Sequence, residues 1–289
     1  MRSGVMSVTA SRYAVVGNPV AHSQSPFIHA AFAAQTGEPV AYERVLCPLD
    51  GFAPALRDFV AGGASGCNVT MPFKFEAFGL VARTTARARL AGACNTIRFD
   101  AEGWVGDNTD GAGLVRDIER NAGVALRGAR VLLIGAGGGA AGALGPLVAS
   151  GASEIVVANR SVDRAVALVE RHRSDPALIT TTTARLAAAS LDSCGTGFDV
   201  VVNGSATSVS GAAVPVAAGV LRPGALALDM MYGPAAAGFV AWADAHGAIG
   251  RDGLGMLVEQ AAEAFAFWRG VAPDTGPVLR ALRSRLASP

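Results

Sequence analysis

Cysteine is scarce in this chain and never clustered. Cys47, Cys67, Cys94 and Cys194 are the whole complement over 289 residues, with no C-x-x-C pair and no metal-ligand spacing. That excludes a cysteine-built metal site and predicts reduced, mostly buried thiols that behave as small apolar residues. Basic tracts are missing too. The 24 Lys and Arg are balanced by 23 Asp and Glu, with no aromatic-basic interleaving, so nucleic acid is excluded as a partner. The stretch Met1–Ala10 has one charge and no apolar core, which predicts no secretory signal and a cytoplasmic location. Val131 to Ser153 lacks any charge and is long enough for a bilayer. Its glycines, Pro146 and front-loaded apolar bulk instead predict a strand, a glycine turn and a buried helix, with no membrane contact.

What is present is alternation. A length of 289 residues fits two domains. Apolar runs at Tyr13–Val16, Tyr42–Leu46, Gly66–Val69 and Thr96–Phe99 read as strands, with helices at Pro26–Gln35 and Pro54–Ala61. A second set follows: strands at Val131–Ile134, Glu154–Ala158, Phe198–Asn203 and Ala225–Asp229, and helices near Ala140–Ala149, Val162–Arg173 and Ala235–Ala245. The segments Leu257–Trp268 and Pro277–Leu286 close the chain as amphipathic helices. The βαβ rhythm predicts an α/β protein.

The strand at Val131 runs into Gly135-Ala-Gly-Gly-Gly-Ala140, a G-x-G-x-x-A turn. Gly135 permits the tight turn, Gly137 lets backbone approach a pyrophosphate, and Ala140 keeps the following helix close to the sheet. The helix N-terminus supplies free N–H groups. Alone, such a turn also fits an ordinary α/β protein; the strand before it and the helix after it favour a dinucleotide. The next strand ends at Asn159-Arg-Ser-Val-Asp-Arg164, where an NAD enzyme would carry an acid for the ribose. Arg160 and Arg164 in its place predict a grip on a 2′-phosphate, hence NADP(H); as isolated residues they also fit solvated charges at a helix start.

Reducing a carbonyl needs hydride on carbon and a proton on oxygen. Lys74, in Asn68-Val-Thr-Met-Pro-Phe-Lys74, and Asp110, in Gly106-Asp-Asn-Thr-Asp-Gly111, can supply and tune the proton. Burial lowers a lysine pKa and an adjacent carboxylate raises it. Taken singly, Lys74 also fits a solvent-facing helix residue and Asp110 a helix cap.

Five motifs in order and spacing resemble shikimate dehydrogenases over nearly the whole length. They are Tyr13-Ala-Val-Val-Gly-Asn-Pro-Val-Ala-His-Ser-Gln-Ser-Pro26, the Asn68–Lys74 and Gly106–Gly111 stretches, Ala91-Gly-Ala-Cys-Asn-Thr96, and Asp252-Gly-Leu-Gly-Met-Leu-Val-Glu-Gln-Ala261. The resemblance implies reversible, NADPH-dependent reduction of 3-dehydroshikimate to shikimate, toward chorismate and aromatic amino acids, without a metal. It implies two α/β domains: a substrate-binding domain of residues 1–109 plus 254–289, and a Rossmann-type doubly wound NADP-binding domain of residues 110–253. Lys74 and Asp110 would be catalytic. Ser23 and Ser25 would hold the substrate carboxylate, with Thr70, Asn95, Asp110 and Gln260 on the ring hydroxyls. Gly135, Ala136, Gly137, Gly138 and Gly139 would meet the pyrophosphate. Asn159, Arg160, Ser161 and Arg164 would meet the adenosine phosphate, and Met230, Tyr232 and Gly253 would border the nicotinamide. Singly, Ser23 and Ser25 also fit helix caps, and Gln260 an inert helix position.

Three departures from the family pattern stand out. Ser161 replaces the usual threonine, and Ala86 occupies a position that is often acidic. Asn203-Gly-Ser-Ala-Thr207 replaces N-A-T-S, which is expected to loosen the loop beside the nicotinamide. A quinate dehydrogenase of the same family is the nearest competitor, disfavoured by the arginine pair. A catalytically silent nucleotide-binding regulator is the more distant one. The sequence leaves a homodimer open.

Overall fold

The computed structural model describes residues 9–176, 178, 183–208 and 211–287. Two six-stranded sheets organise it, ordered β2-β1-β3-β5-β6-β4 and β12-β11-β10-β7-β8-β9. The first is mixed. Strands β1 (Ser11–Gly17), β2 (Val40–Leu46) and β3 (Ala64–Val69) are parallel, while β5 (Thr96–Arg98) runs antiparallel to both its neighbours, β3 and β6 (Val105–Asp107). The two-residue β4 (Arg83–Thr84) ends it, parallel to β6.

The second sheet is parallel throughout: β7 (Arg130–Ile134), β8 (Glu154–Ala158), β9 (Arg185–Ala189), β10 (Phe198–Asn203), β11 (Leu221–Asp229) and β12 (Ile249–Arg251). Its strand order, counted from β7, is 3-2-1-4-5-6 reversed, the doubly wound order with its crevice at the β7/β10 switch point. Strands buried on both faces read as continuous apolar runs, which is why Val131–Ile134 and Val200–Val202 stand out in the sequence.

The helices of the first half are α1 (Ser25–Thr36), α2 (Phe52–Ala61), α3 (Lys74–Leu80) and α4 (Ala86–Ala91). Helix α5 (Asp110–Arg116) continues into a π-turn at Asp117–Asn121. Then come α6 (Gly138–Ala149), α7 (Val162–Arg173) and α8 (Ala237–Ala245), and the chain ends in α9 (Leu254–Arg269) and α10 (Thr275–Ala287). Val131–Ser153 is thus the buried strand β7 and helix α6, and no helix among the described residues is long and apolar enough to cross a membrane. The four cysteines are free and buried.

The last helices turn back onto the first sheet. Leu254, Val258, Ala261 and Phe265 of α9 pack with Ile28 and Phe32 of α1 and with Val278 and Leu282 of α10. Each of the buried Leu, Ile, Val and Phe side chains contributes about 1.5–3 kcal/mol. The Trp268 indole donates to the Ile97 carbonyl at 3.0 Å, tying α9 to β5. Helix α5 bridges the halves: Leu114 joins the core under the second sheet, while the Cβ position of Gly113 lies 2.6 Å from the Gln260 backbone nitrogen. Only glycine permits α5 and α9 to approach so closely.

Candidate active site

The C-terminal ends of β3 and β6 deliver Asn68 and Thr70 on one side and Thr109 and Asp110 on the other. Between them, Gly92 at φ 62° ends α4 in the left-handed conformation and turns the chain so that Asn95 enters the gap. Asn95 is pinned by backbone, its N–H donating to the Asp107 carbonyl at 3.1 Å and its carbonyl accepting from Val69 N–H at 2.7 Å.

The side chains then form one connected polar cluster. The Lys74 ammonium, on the first residue of α3, donates to Asp110 Oδ2. Asp110 Oδ1 accepts from Asn95 Nδ2 at 2.9 Å. That same amide donates to Thr109 Oγ1 at 2.9 Å, and its Oδ1 accepts from the Thr109 N–H at 2.8 Å. Gln260, from α9, closes the ring with Oε1 at 3.3 Å from both Asn95 Nδ2 and Thr109 Oγ1. The lysine and aspartate side chains keep 15% and 7% of their surface, so the pair is shielded yet reachable. This is an ammonium on a carboxylate that is itself held by a fixed amide, a geometry suited to moving one proton at one place.

The serine turn stands at the head of α1. Ser23 Oγ donates to Ser25 Oγ at 3.2 Å, and the Arg44 guanidinium holds the Ser23 carbonyl from Nε at 3.0 Å and Nη2 at 2.5 Å. Thr70 follows β3, its methyl against Gly17 and its N–H on the Val16 carbonyl at 2.9 Å.

The glycine turn lies against this cluster. Gly135, at φ 108°, has its Cβ position 3.0 Å from the Gly204 backbone, which makes glycine obligatory where β7 turns. A Cβ on Gly138 would stand 3.0 Å from Lys74 Cβ, whereas one on Gly137 meets nothing within 4 Å. The loop is thus in contact with the lysine and open at its centre. Gly135 N–H donates to the Ala158 carbonyl at 2.7 Å, which sets the end of β8 beside the loop. There Asn159 Nδ2 donates to the Ser161 carbonyl at 2.8 Å, while Arg160 and Arg164 are exposed and, among the described residues, have no carboxylate partner.

Met230 lies against the Cβ positions of Gly139, at 3.2 Å, and Gly204, at 3.0 Å, and Gly253 donates to the Met231 carbonyl at 2.8 Å. Tyr232 packs against the α1–α9 core, where burial pushes its phenol above the ordinary range, opposed by the Gln24 backbone and the Arg44 charge of the serine turn. Burial pushes the Asp229 carboxyl above the ordinary aspartate range, against donation from Ser208, the Met231 N–H and Asn203. The loop expected to be loose is therefore tied. Asn203 Nδ2 donates to Asp229 Oδ2 and Ser208 Oγ, both at 2.9 Å, and Ser205 Oγ donates to Asn203 Oδ1 at 2.7 Å.

Where Ala86 leaves no acid, the neighbours carry the contacts. Thr85 caps α4 and donates to Asp107 Oδ1 at 2.6 Å, and Arg87 grips Asp107 through Nε at 2.7 Å and Glu263 of α9 at 2.8 Å. Burial opposes the Asp107 charge, yet the Arg87 guanidinium holds its carboxyl below the usual range.

Asn68, Tyr42 and Arg44 are site residues that the sequence reading passed over. Asn68 Nδ2 donates to Thr96 Oγ1 at 3.0 Å and Asn95 O at 3.3 Å, and its Oδ1 accepts from the Tyr42 hydroxyl at 2.7 Å. An amide interrupting the apolar run Gly66–Val69 was the available signal; a tyrosine and an arginine within an amphipathic edge strand carry none. A separate cavity of about 440 Å³ beside α8 and β12 is lined by Arg251, Asp252 and Arg283 among others and includes none of the cluster.

Known proteins resemble this chain along nearly its whole length. The family described as shikimate dehydrogenase substrate binding domain matches residues 15–97, the shikimate / quinate 5-dehydrogenase family matches residues 117–209, and the shikimate 5'-dehydrogenase C-terminal domain matches residues 253–283. The chain is 63% identical to the shikimate dehydrogenase (NADP(+)) of Methylibium petroleiphilum and 56% identical to that of Verminephrobacter eiseniae, covering 98% of both chains in each case. Among solved structures it is similar to a shikimate dehydrogenase in complex with NADP+, at TM-score 0.83 and 27% identity over 96% of each chain. It is also similar to the shikimate 5-dehydrogenase of Thermus thermophilus in complex with shikimate, at TM-score 0.77 and 30% identity over 96% of this chain and 99% of that one. With full-length relatives well above 30% identity and family matches along both halves, this chain belongs to the shikimate dehydrogenase family.

Proposed function

We propose that this chain interconverts 3-dehydroshikimate and shikimate with NADP(H), the reductive direction being the biosynthetic one. The observation that carries the reading is the Lys74–Asp110 pair, oriented by Asn95 and in contact with the glycine loop. Full-length relatives bear the name shikimate dehydrogenase (NADP(+)).

In this reading the N-terminal sheet with the last two helices is the substrate domain and the doubly wound sheet is the nucleotide domain, which supports a division near residues 110 and 253. Ser23 and Ser25 hold the carboxylate; Thr70, Asn95, Asp110 and Gln260 hold the ring hydroxyls. Each hydroxyl then answers a buried polar group, so an analogue lacking one leaves that group unpaired and is rejected. Lys74 gives its proton to the carbonyl oxygen and Asp110 keeps the ammonium aimed.

The residues present fit the dinucleotide. Gly137 leaves open space at the turn, the N-terminal amides of α6 face it, and the exposed Arg160 and Arg164 lack carboxylate partners among the described residues. Residues 135–139 border the pyrophosphate, Asn159, Arg160, Ser161 and Arg164 the adenosine phosphate, and Met230, Tyr232 and Gly253 the nicotinamide. NADPH, when bound, supplies the hydride. Balanced charge agrees with a small-molecule substrate, and the reading places the enzyme in the cytoplasm.

Absorbance at 340 nm over shikimate and quinate, each with NADP+ and NAD+, tests this. Fastest turnover with shikimate and NADP+ is expected; no turnover with that pair refutes it.

A further inference from the structure

We propose that Arg44 makes this site selective for a negatively charged group at the serine-turn end of the substrate. The inference rests on the reading of Ser23 and Ser25 as the carboxylate end. Arg44 lies on β2, two residues beyond Tyr42 and therefore on the same face of the strand, the face whose phenol donates to Asn68 at 2.7 Å. Its guanidinium takes the Ser23 carbonyl through Nε at 3.0 Å and Nη2 at 2.5 Å.

Two of its five N–H donors are so committed, and no carboxylate among the described residues pairs with it. Its strand neighbour Glu43 is bound instead to Arg12 at 2.7 Å, and Lys74 is neutralised by Asp110. Tyr232 approaches the same turn from the other half of the molecule, its phenol within the field of the Arg44 charge. The turn is therefore ringed by two serine hydroxyls, one phenol and one uncompensated cation.

Hydroxyls and a phenol can donate to an ester or amide carbonyl as well as to a carboxylate, so on their own they discriminate by charge less steeply than a cation does. The attraction of a guanidinium to an anion is electrostatic and strengthens its hydrogen bonds. Arg44 also holds the Ser23 carbonyl, so the test must separate loop positioning from charge.

Steady-state kinetics with NADP+ on wild type, Arg44→Gln and Arg44→Lys, using shikimate and its methyl ester at low and high salt, do so. For Arg44→Gln, kcat/KM for shikimate is expected to fall about tenfold, through KM, while the value for the ester changes less than about twofold. The salt dependence for shikimate should flatten, and Arg44→Lys should recover part of the loss. Equal losses for acid and ester, or no loss for either, overturn the inference alone. Absence of wild-type turnover with shikimate overturns the reading of the site and this inference with it.

Discussion

Replacing His29 by phenylalanine should make the protein markedly less sensitive to acid. His29 is fully buried in α1, stacked on Tyr42 at 4.2 Å and near Phe265 and Trp268, and neither ring nitrogen has a hydrogen-bond partner. Burial pushes its imidazole down to about 3 from 6.5, outweighing the raising influence of the nearby Asn68 side chain, which makes no hydrogen bond to the ring within bonding geometry. The unfolded chain thus takes up this proton near pH 6.5, whereas the folded one resists until about pH 3. The stability is fully present above pH 6.5 and is lost as pH falls toward 3.

At pH 5 the gap is about 1.5 pH units below the unfolded value, which is about 2 kcal/mol. His172, lowered to about 4 chiefly by burial, adds about 2 kcal/mol at the same pH. A loss of about 4 kcal/mol is a large part of a typical stability of about 5–15 kcal/mol. Urea unfolding at about pH 7.5 and about pH 5 should therefore show His29→Phe losing about half of what the wild type loses. Any packing change from the larger ring shifts both pH values alike and cancels in the difference. The same pH dependence in both proteins would refute the reasoning. Because α1 carries Ser25, acid failure of this helix also removes one end of the proposed substrate site.

Asp110→Asn places an amide N–H₂ against either the Lys74 ammonium or the Asn95 amide and leaves the lysine charge without its anion. We expect kcat to fall by about 10²–10³ and stability by about 3–5 kcal/mol; kcat close to that of wild type would show that the pair is not the proton donor. Arg160→Ala should raise KM for NADP+ roughly tenfold and leave KM for NAD+ within about twofold. Equal changes for both nucleotides would remove the 2′-phosphate assignment.

Much of the fold was legible because parallel strands buried on both faces are unbroken apolar runs, as at Val131–Ile134 and at Ile155–Ala158 within the strand read over Glu154–Ala158. Both are found where they were read. The short pieces were not. β4 and β6 span two and three residues, too few for alternation to show, and Arg185–Ala189 is an alanine-rich strand without a polar-apolar rhythm. Helices α3, α4 and α5 are six or seven residues long, barely two turns, too short for a 3.6-residue period to show. The helix read from Ala235 starts at Ala237 because Gly233–Ala235 forms a 3₁₀ turn behind Pro234, and the helix read from Leu257 begins three residues earlier at Leu254.

In the site, Lys74, Asn95, Asp110 and Gln260 lie far apart in sequence and were grouped by family motifs. The hydrogen bonds joining them exist only once β3, β6 and α9 meet. Tyr42 and Arg44 escaped notice because their partners, Asn68 and the Ser23 carbonyl, are brought to them by sheet pairing.

The most direct test compares wild type with Lys74→Ala at saturating shikimate and NADP+, following nicotinamide reduction. Wild type should turn over, and the variant should lose about 10²–10⁴ in kcat with a smaller change in KM. A variant with wild-type kcat would contradict the assignment of Lys74 as the group that moves the proton.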